Sequence, residues 1–187
     1  KGLLRAVYKN GDLAALETRL AEARANPAVT GTIWVVTDGV FSMEGSLANL
    51  PKIREVCDRF GALLVVDDSH GTGVMGKTGR GTHEHWNMPA TKVDYFTGTL
   101  GKALGGGAGG YIAGSREAMD LLVQRGRPTL FSNALPCTIA CSAQRAIEIL
   151  MREPQRVDKL RGNVAAARAG IREAGFEVLE SPTAICP

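Results

Sequence analysis

Apolar and polar positions follow two rhythms along this chain, and the switches between them outline its elements. Leu13, Leu16 and Leu20 recur at helical spacing between Asp12 and Asn26, with Asp12 placed to cap the first turn. Pro27 to Gly31 breaks that rhythm. Thr32 to Thr37 is then a continuous β-branched and apolar run, which predicts a strand buried on both faces. Next comes a helix with Asn49 as cap, Pro51 in its first turn, Ile53, Val56 and Phe60 on one face, and Gly61 as its stop. Ala62 to Asp67 reads as a second fully buried strand. Strand, helix and strand in so short a span form a βαβ unit and imply a parallel sheet.

A glycine-rich loop runs on to Gly81, followed by a polar stretch to Thr91. Val93 to Gly98 predicts a third strand and Gly110 to Gly114 a short fourth. Ser115 caps a helix carrying Met119, Leu122 and Val123 that Gly126 ends, and Thr129 to Phe131 predicts a last short strand. Beyond Pro136 the pattern is helical over 137–152 and 154–174, broken at Pro154, with Phe176 to Leu179 strand-like. The expected organisation is a large domain over residues 1–134 and, over 135–187, connecting helices and the start of a smaller α/β domain.

Composition adds one unusual number. Glycine makes up 23 of 187 residues, and 13 of these lie between Gly71 and Gly114, which marks backbone that turns tightly or approaches a ligand closely. Net charge is +3 without a basic run, and aromatics are 5%, so no nucleic-acid surface is indicated. No apolar stretch reaches the ~18 residues of a membrane span, and no signal peptide is evident. Cys57, Cys137, Cys141 and Cys186 lack a framework spacing and read as reduced thiols in a cytoplasmic setting. The start at Lys1 and the stop at Pro187 suggest a piece of a longer chain.

Ligands of an open parallel sheet bind beyond the carboxyl ends of its strands. The first strand leads there to Asp38 and Ser42, the second to Asp67, Asp68, Ser69 and His70, and the third to Thr99, Leu100, Gly101 and Lys102. Lys102 is the sharpest of these, since it follows a buried strand and sits among glycines. Two phosphate motifs are excluded. Phe96 occupies the first glycine position of a Walker A loop and Ala103 its Ser/Thr position, while Gly105-x-Gly107-x-x-Gly110 precedes a strand rather than a helix. A lysine that forms a Schiff base with pyridoxal phosphate remains, a chemistry that also needs a carboxylate at the pyridine nitrogen and donors for the phosphate. Asp67 suits the nitrogen, although Asp67 and Asp68 would equally start a turn. His70 suits the ring, by a hydrogen bond to its 3-oxygen or by stacking, and Thr99 suits the phosphate. His83 and His85, two apart, do not share a helical face, so a solvated loop and no metal site is expected there.

The segments Thr37 to Gly45, Val66 to Gly73, Gly98 to Gly106, Gly79 to Glu84 and Arg127 to Asn133 together resemble the α-oxoamine synthase family, and the resemblance covers essentially the whole chain. It implies a fold-type I pyridoxal phosphate transferase, an α/β fold with a mostly parallel sheet flanked by helices. The implied reaction condenses an amino acid with an acyl-coenzyme A, here glycine with acetyl-coenzyme A first and another acyl group of the same family as the alternative, in a homodimer with shared active sites; the rival from outside enzymes is an incomplete binding or assembly module. By the same resemblance Lys102 carries the cofactor, Asp67 partners its ring nitrogen, and His70 and Ser42 lie near the 3-oxygen. Asp68, Ser69, Leu100 and Gly101 are expected to bind the cofactor beside them, Thr99 holds phosphate, and Ser132 with Asn133 reaches the phosphate from the neighbouring subunit. The family's ring-stacking histidine and its substrate-carboxylate arginine are expected outside these 187 residues.

Overall fold

The caps expected from the sequence are made. In the computed structural model, which describes residues 3–187, the Asp12 carboxylate accepts the Ala15 N–H at 2.8 Å and starts α1 (Leu13–Ala25). Asn49 accepts the Lys52 N–H at 3.2 Å and starts α2 (Leu50–Phe60), and Gly61, at φ 57°, ends it in the left-handed conformation that glycine adopts without strain. Between and after these helices lie β1 (Trp34–Asp38), β2 (Leu63–Asp67), β3 (Tyr95–Thr99) and β4 (Gly110–Ala113). The strands join in chain order into one sheet; β1, β2 and β3 are parallel, and β4 returns antiparallel to β3. A short α3 (Thr82–His85) lies in the β2–β3 connection, followed by α4 (Arg116–Arg125), α5 (Arg127–Phe131), α6 (Cys137–Arg152) and α7 (Gln155–Glu173).

The core fills one face of the sheet only. Leu16 and Leu20 of α1 and Ile53, Val56 and Cys57 of α2 pack on Val35, Leu64 and Val66, each no more than 5% exposed. Arg54 fastens this layer: its guanidinium pairs with Asp94 at 2.8 Å and donates to the Ala62 carbonyl at 2.9 Å, while Asp94 also accepts the Leu64 N–H at 2.7 Å. The opposite face is open. Trp34 is 49% and Val36 63% exposed, and the Trp34 ring lies 5.1 Å from that of Tyr95 across the sheet. The expectation of strands buried on both faces is therefore corrected. The apolar run holds residues for two covered faces, but α1 and α2 supply one cover, and α4 contributes no buried residue.

Three further expectations give way. Thr129 to Phe131 is part of α5, because Pro128 opens a helical turn after Gly126 and no strand lies beside it. Phe176 and Leu179 are exposed and unpaired with any strand. The chain just beyond them is held by Arg168, which donates to the carbonyls of Ser181, Thr183 and Ile185, and by the Ser181 hydroxyl, which donates to the Gly45 carbonyl at 2.7 Å. His83 to His85 forms α3 rather than a solvated loop, with the His83 ring 5.2 Å from Phe96. All four cysteines are free, and among the described residues no helix is long and apolar enough to cross a membrane.

The one-sided core has a measurable consequence. Leu64→Ala, at a position of 0% exposure, should lower unfolding stability by about 2–5 kcal/mol in urea melts. Val36→Ser, on the neighbouring strand β1 but on the open face, should change it by no more than about 0.5 kcal/mol. Equal losses would mean that the open face is covered in solution.

Candidate active site

Side chains of a strand alternate between faces, and that parity assembles the site. Val66 points into the core, so Asp67 points to the open face, where it lies in register between Asp38 of β1 and Thr97 of β3. Asp68, one residue on, turns back beneath the sheet edge and is 1% exposed. Its two oxygens are taken by Thr82: the backbone N–H donates at 2.8 Å and the hydroxyl donates to the other oxygen. Gly39, Gly71 and Gly81 crowd around this carboxylate so closely that a Cβ on any of them would collide with it. Asp68 thus braces the loop, and Asp67 faces outward.

Asp67 and Asp38 stand side by side with opposite acidities. Burial pushes both up. At Asp67 this is outweighed by hydrogen bonds from the hydroxyl and backbone of Ser69 and from Thr97, with help from the Lys102 charge, and the carboxyl is held below the usual carboxylate range. The Ser69 N–H donates to it at 2.9 Å. At Asp38 burial and the neighbouring Asp67 charge prevail over the positive influence of His70 and Lys102, and the carboxyl is raised. Asp38, Asp67, His70 and Lys102 therefore act on one another at the carboxyl end of the sheet. The outcome is one firmly ionised carboxylate beside one that favours its proton more.

The loop bearing Lys102 is closed by its own backbone. The Leu100 N–H donates to the Gly109 carbonyl at 2.9 Å, and the Gly105 N–H donates to the Lys102 carbonyl at 3.0 Å. The Thr99 hydroxyl donates to Gly109 at 3.1 Å and accepts the Gly101 N–H at 3.2 Å. Lys102 itself is exposed. The glycine loop after β2 is tied by Glu84, which accepts the Thr78 N–H at 3.0 Å, the Thr78 hydroxyl at 2.7 Å and the Arg80 N–H at 3.0 Å. Burial raises the Glu84 carboxyl, but these Thr78 and Arg80 donors and the Arg80 charge more than offset it, and its acidity is increased.

Not every expected residue joins the cluster. Ser42 lies in an exposed turn beyond the Val40–Leu47 bridge, and Ser132 and Asn133 lie in the exposed segment after α5. Sequence reasoning placed Asp38 on the sheet edge but gave it no role. The signal was available, because two adjacent parallel strands end in aspartate at the same register. Tyr111, whose hydroxyl meets that of Thr72 at 2.9 Å, was missed because only the antiparallel return of β4 brings them together.

The donor set fits pyridoxal phosphate: an amine on an accessible loop, and an ionised carboxylate on the same face suited to a protonated ring nitrogen. Residues 5–187 match the family described as Aminotransferase class I and II. The chain belongs to the aminotransferase class I and II family. Within that family, it is 43% identical to the 2-amino-3-ketobutyrate coenzyme A ligase of Salmonella typhimurium, over 96% of this chain and 44% of that protein. It is 44% identical to the 8-amino-7-oxononanoate synthase of Methylococcus capsulatus, over 96% of this chain and 45% of that protein. Both relatives are α-oxoamine synthases. The solved serine palmitoyltransferase of Sphingomonas wittichii superposes with a TM-score of 0.81 at 30% identity, covering 94% of this chain and 42% of that one. The serine palmitoyltransferase of S. paucimobilis with bound PLP gives 0.81 at 27% identity, over 94% of this chain and 44% of that one. The α/β fold is that of the fold-type I transferases. The chain spans less than half the length of the curated relatives it matches.

Glu84→Ala should cost about 1–3 kcal/mol at neutral pH, because it strands the Thr78 and Arg80 donors. The folded carboxyl is more acidic than its ordinary value of 4.5, so its contribution is complete above that pH and fades as pH falls through the depressed value. Urea melts of both proteins from pH 7 to pH 3 should show the gap closing on the acid side. A gap constant with pH would mean that the charge of Glu84 is not what holds the loop.

Proposed function

We propose that this chain is part of a pyridoxal phosphate-dependent C-acyltransferase that condenses glycine with acetyl-coenzyme A to give 2-amino-3-ketobutyrate and coenzyme A. The observation that carries the reading is the open-face cluster, with the acidic Asp67 in register beside Asp38 and within electrostatic reach of Lys102. The bound cofactor supplies an electron-withdrawing ring that stabilises negative charge developing at the amino-acid Cα. Lys102 would hold the cofactor through its amine, and the same amine is the group that would accept the Cα proton of glycine. Asp67 holds the proton at the ring nitrogen, and its hydrogen bonds from Ser69 and Thr97 keep it ionised for that purpose. His70 is placed to orient the ring oxygen, and Ser42, in its exposed turn, is assigned there by the resemblance alone. Asp68 acts from below, by fixing the loop that presents Ser69 and His70. Thr99, Leu100 and Gly101 shape the turn that presents Lys102, with Thr99 available to phosphate.

A second reading, 8-amino-7-oxononanoate synthase, is favoured by the 44% identity to the Methylococcus relative. Glycine offered with acyl-coenzyme A thioesters of increasing chain length, with coenzyme A release and product mass followed together, decides the acyl group. Acetyl preference supports the first reading and preference for a longer chain the second; no thioester-dependent product rejects both. Lys102→Ala should abolish turnover and the borohydride-fixed cofactor mass on the chain. Cofactor fixed on another lysine would overturn the assignment of Lys102.

We further assign residues 1–134 to the large cofactor domain and 135–187 to connecting helices and the start of the smaller one. Ser132 and Asn133 serve the site of a second subunit in a homodimer. Their exposure, beside Leu130 at 58% and Phe131 at 78%, supports a surface that a partner covers. Mixing Lys102→Ala with Ser132→Ala subunits then places both defects in one site of the heterodimer and leaves the other intact. Activity should rise above either parent; strictly additive activity, with heterodimers formed, would place Ser132 in its own subunit's site.

A further inference from the structure

Two arginines of α7 reach the two loops that leave the carboxyl edge of β1 and β2. Arg161 and Arg168 stand about two helical turns apart, so they share a face of the helix. The Arg161 guanidinium donates to the Gly76 carbonyl, in the glycine loop after β2, and pairs with Asp158 at 2.7 Å. A turn earlier in α7, Val157 is 2% exposed, and a Cβ on Gly79 of that loop would stand 3.1 Å from its side chain. Arg168 works through an intermediary. It donates to the Ser181 carbonyl, to that of Thr183 at 3.0 Å and to that of Ile185 at 2.6 Å. The Ser181 and Thr183 hydroxyls accept the N–H groups of Thr183 at 3.1 Å and Ile185 at 3.2 Å, which closes the segment on itself.

Those two hydroxyls are buried, and both donate to one carbonyl, that of Gly45, at 2.7 and 3.4 Å. Gly45 belongs to the turn after β1, in which its N–H donates to the Phe41 carbonyl and the Phe41 N–H to that of Ser46, each at 2.9 Å. Ser42 lies within this turn. A Cβ on Gly45 would stand 2.5 Å from the Ser181 hydroxyl, so the fit between the turn and the segment needs glycine. A surface turn with so few bonds of its own is ordinarily loose. Here it is tied to residues 136 positions away. We propose that α7 sets the position of both loops, Arg168 acting on the Ser42 turn through Ser181, and Arg161 acting on the glycine loop directly. Both arginines are positioning residues. What they do for cofactor binding rests on the cofactor reading; the placement of the loops does not.

The test is amide hydrogen exchange on the full-length protein without cofactor, so that failure here and failure of the cofactor reading are told apart. Arg168→Met keeps the apolar stem and removes the donors. It should speed exchange of the Phe41 and Gly45 amides about tenfold, and leave Gly73, Gly81 and the β2 amides of Leu64 to Val66 unchanged. Arg161→Met should do the converse, loosening Gly73 and Gly81 and sparing the turn. Ser181→Ala should reproduce the effect of Arg168→Met on the turn, and the double variant should add nothing to it, because one residue acts through the other. Should Arg168→Met fail to fold, Ser181→Ala and Thr183→Val carry the same comparison. Unchanged exchange in the turn would overturn the proposal. So would additive effects of Arg168→Met and Ser181→Ala, or acceleration that reaches β2 equally, which marks a general loss of stability.

Discussion

A carboxylate at 1% exposure is an expensive thing to place inside a protein, and the end of β2 is built around one. Burial raises the Asp68 acid above its ordinary value, so the surroundings oppose its charge, and the two Thr82 donors are what make its position tolerable. Room for the carboxylate comes from Gly39, Gly71 and Gly81, three positions far apart in sequence that share the absence of a Cβ. The arrangement fixes the β1 exit, the glycine loop and the start of α3 to one point. Ser69 and His70 leave the sheet from that point, and the direction of Asp67 is set by it.

The resulting site divides labour between two faces. Beneath the sheet lie the packed layers of α1 and α2, whose leucines and valines hold the strands in register. Above it, the same strands present Asp38 and Asp67 half-buried. The acidity of Asp67 is therefore a local product of hydrogen bonds and of the Lys102 charge rather than of depth. An acid strengthened in this way stays ionised next to a second carboxylate. That is the condition a cationic ring nitrogen requires.

Much of this was legible in the sequence because it is written locally. Asp12, Asn49 and Gly61 act within a few residues of where they stand, and the βαβ rhythm follows from strand and helix periods. The strand ends were legible for the same reason, and Lys102 and Asp67 with them. What escaped depends on distant partners. Asp68 is explained by Thr82, fourteen positions away, and Tyr111 by Thr72, thirty-nine away. The covering of β1 depends on which helices happen to lie above it, and its residues alone describe a strand fit for two covered faces. In the 129–131 segment, local chemistry was present in Pro128 but the β-branched and aromatic residues dominated the reading.

The paired aspartates at the end of β2 also bear on how this segment tolerates insertions and deletions. Asp67 and Asp68 are chemically identical, and only strand parity gives one to the open face and the other to the interior. Loss or gain of one residue in the α2–β2 turn, if the strand slid to compensate, would exchange their surroundings without changing the local composition. The outward acid would lose its donors and the inward position would receive a side chain without its glycine socket. Length in that turn is therefore constrained as tightly as identity in the motif, although the turn lies at the opposite end of β2 from the two aspartates.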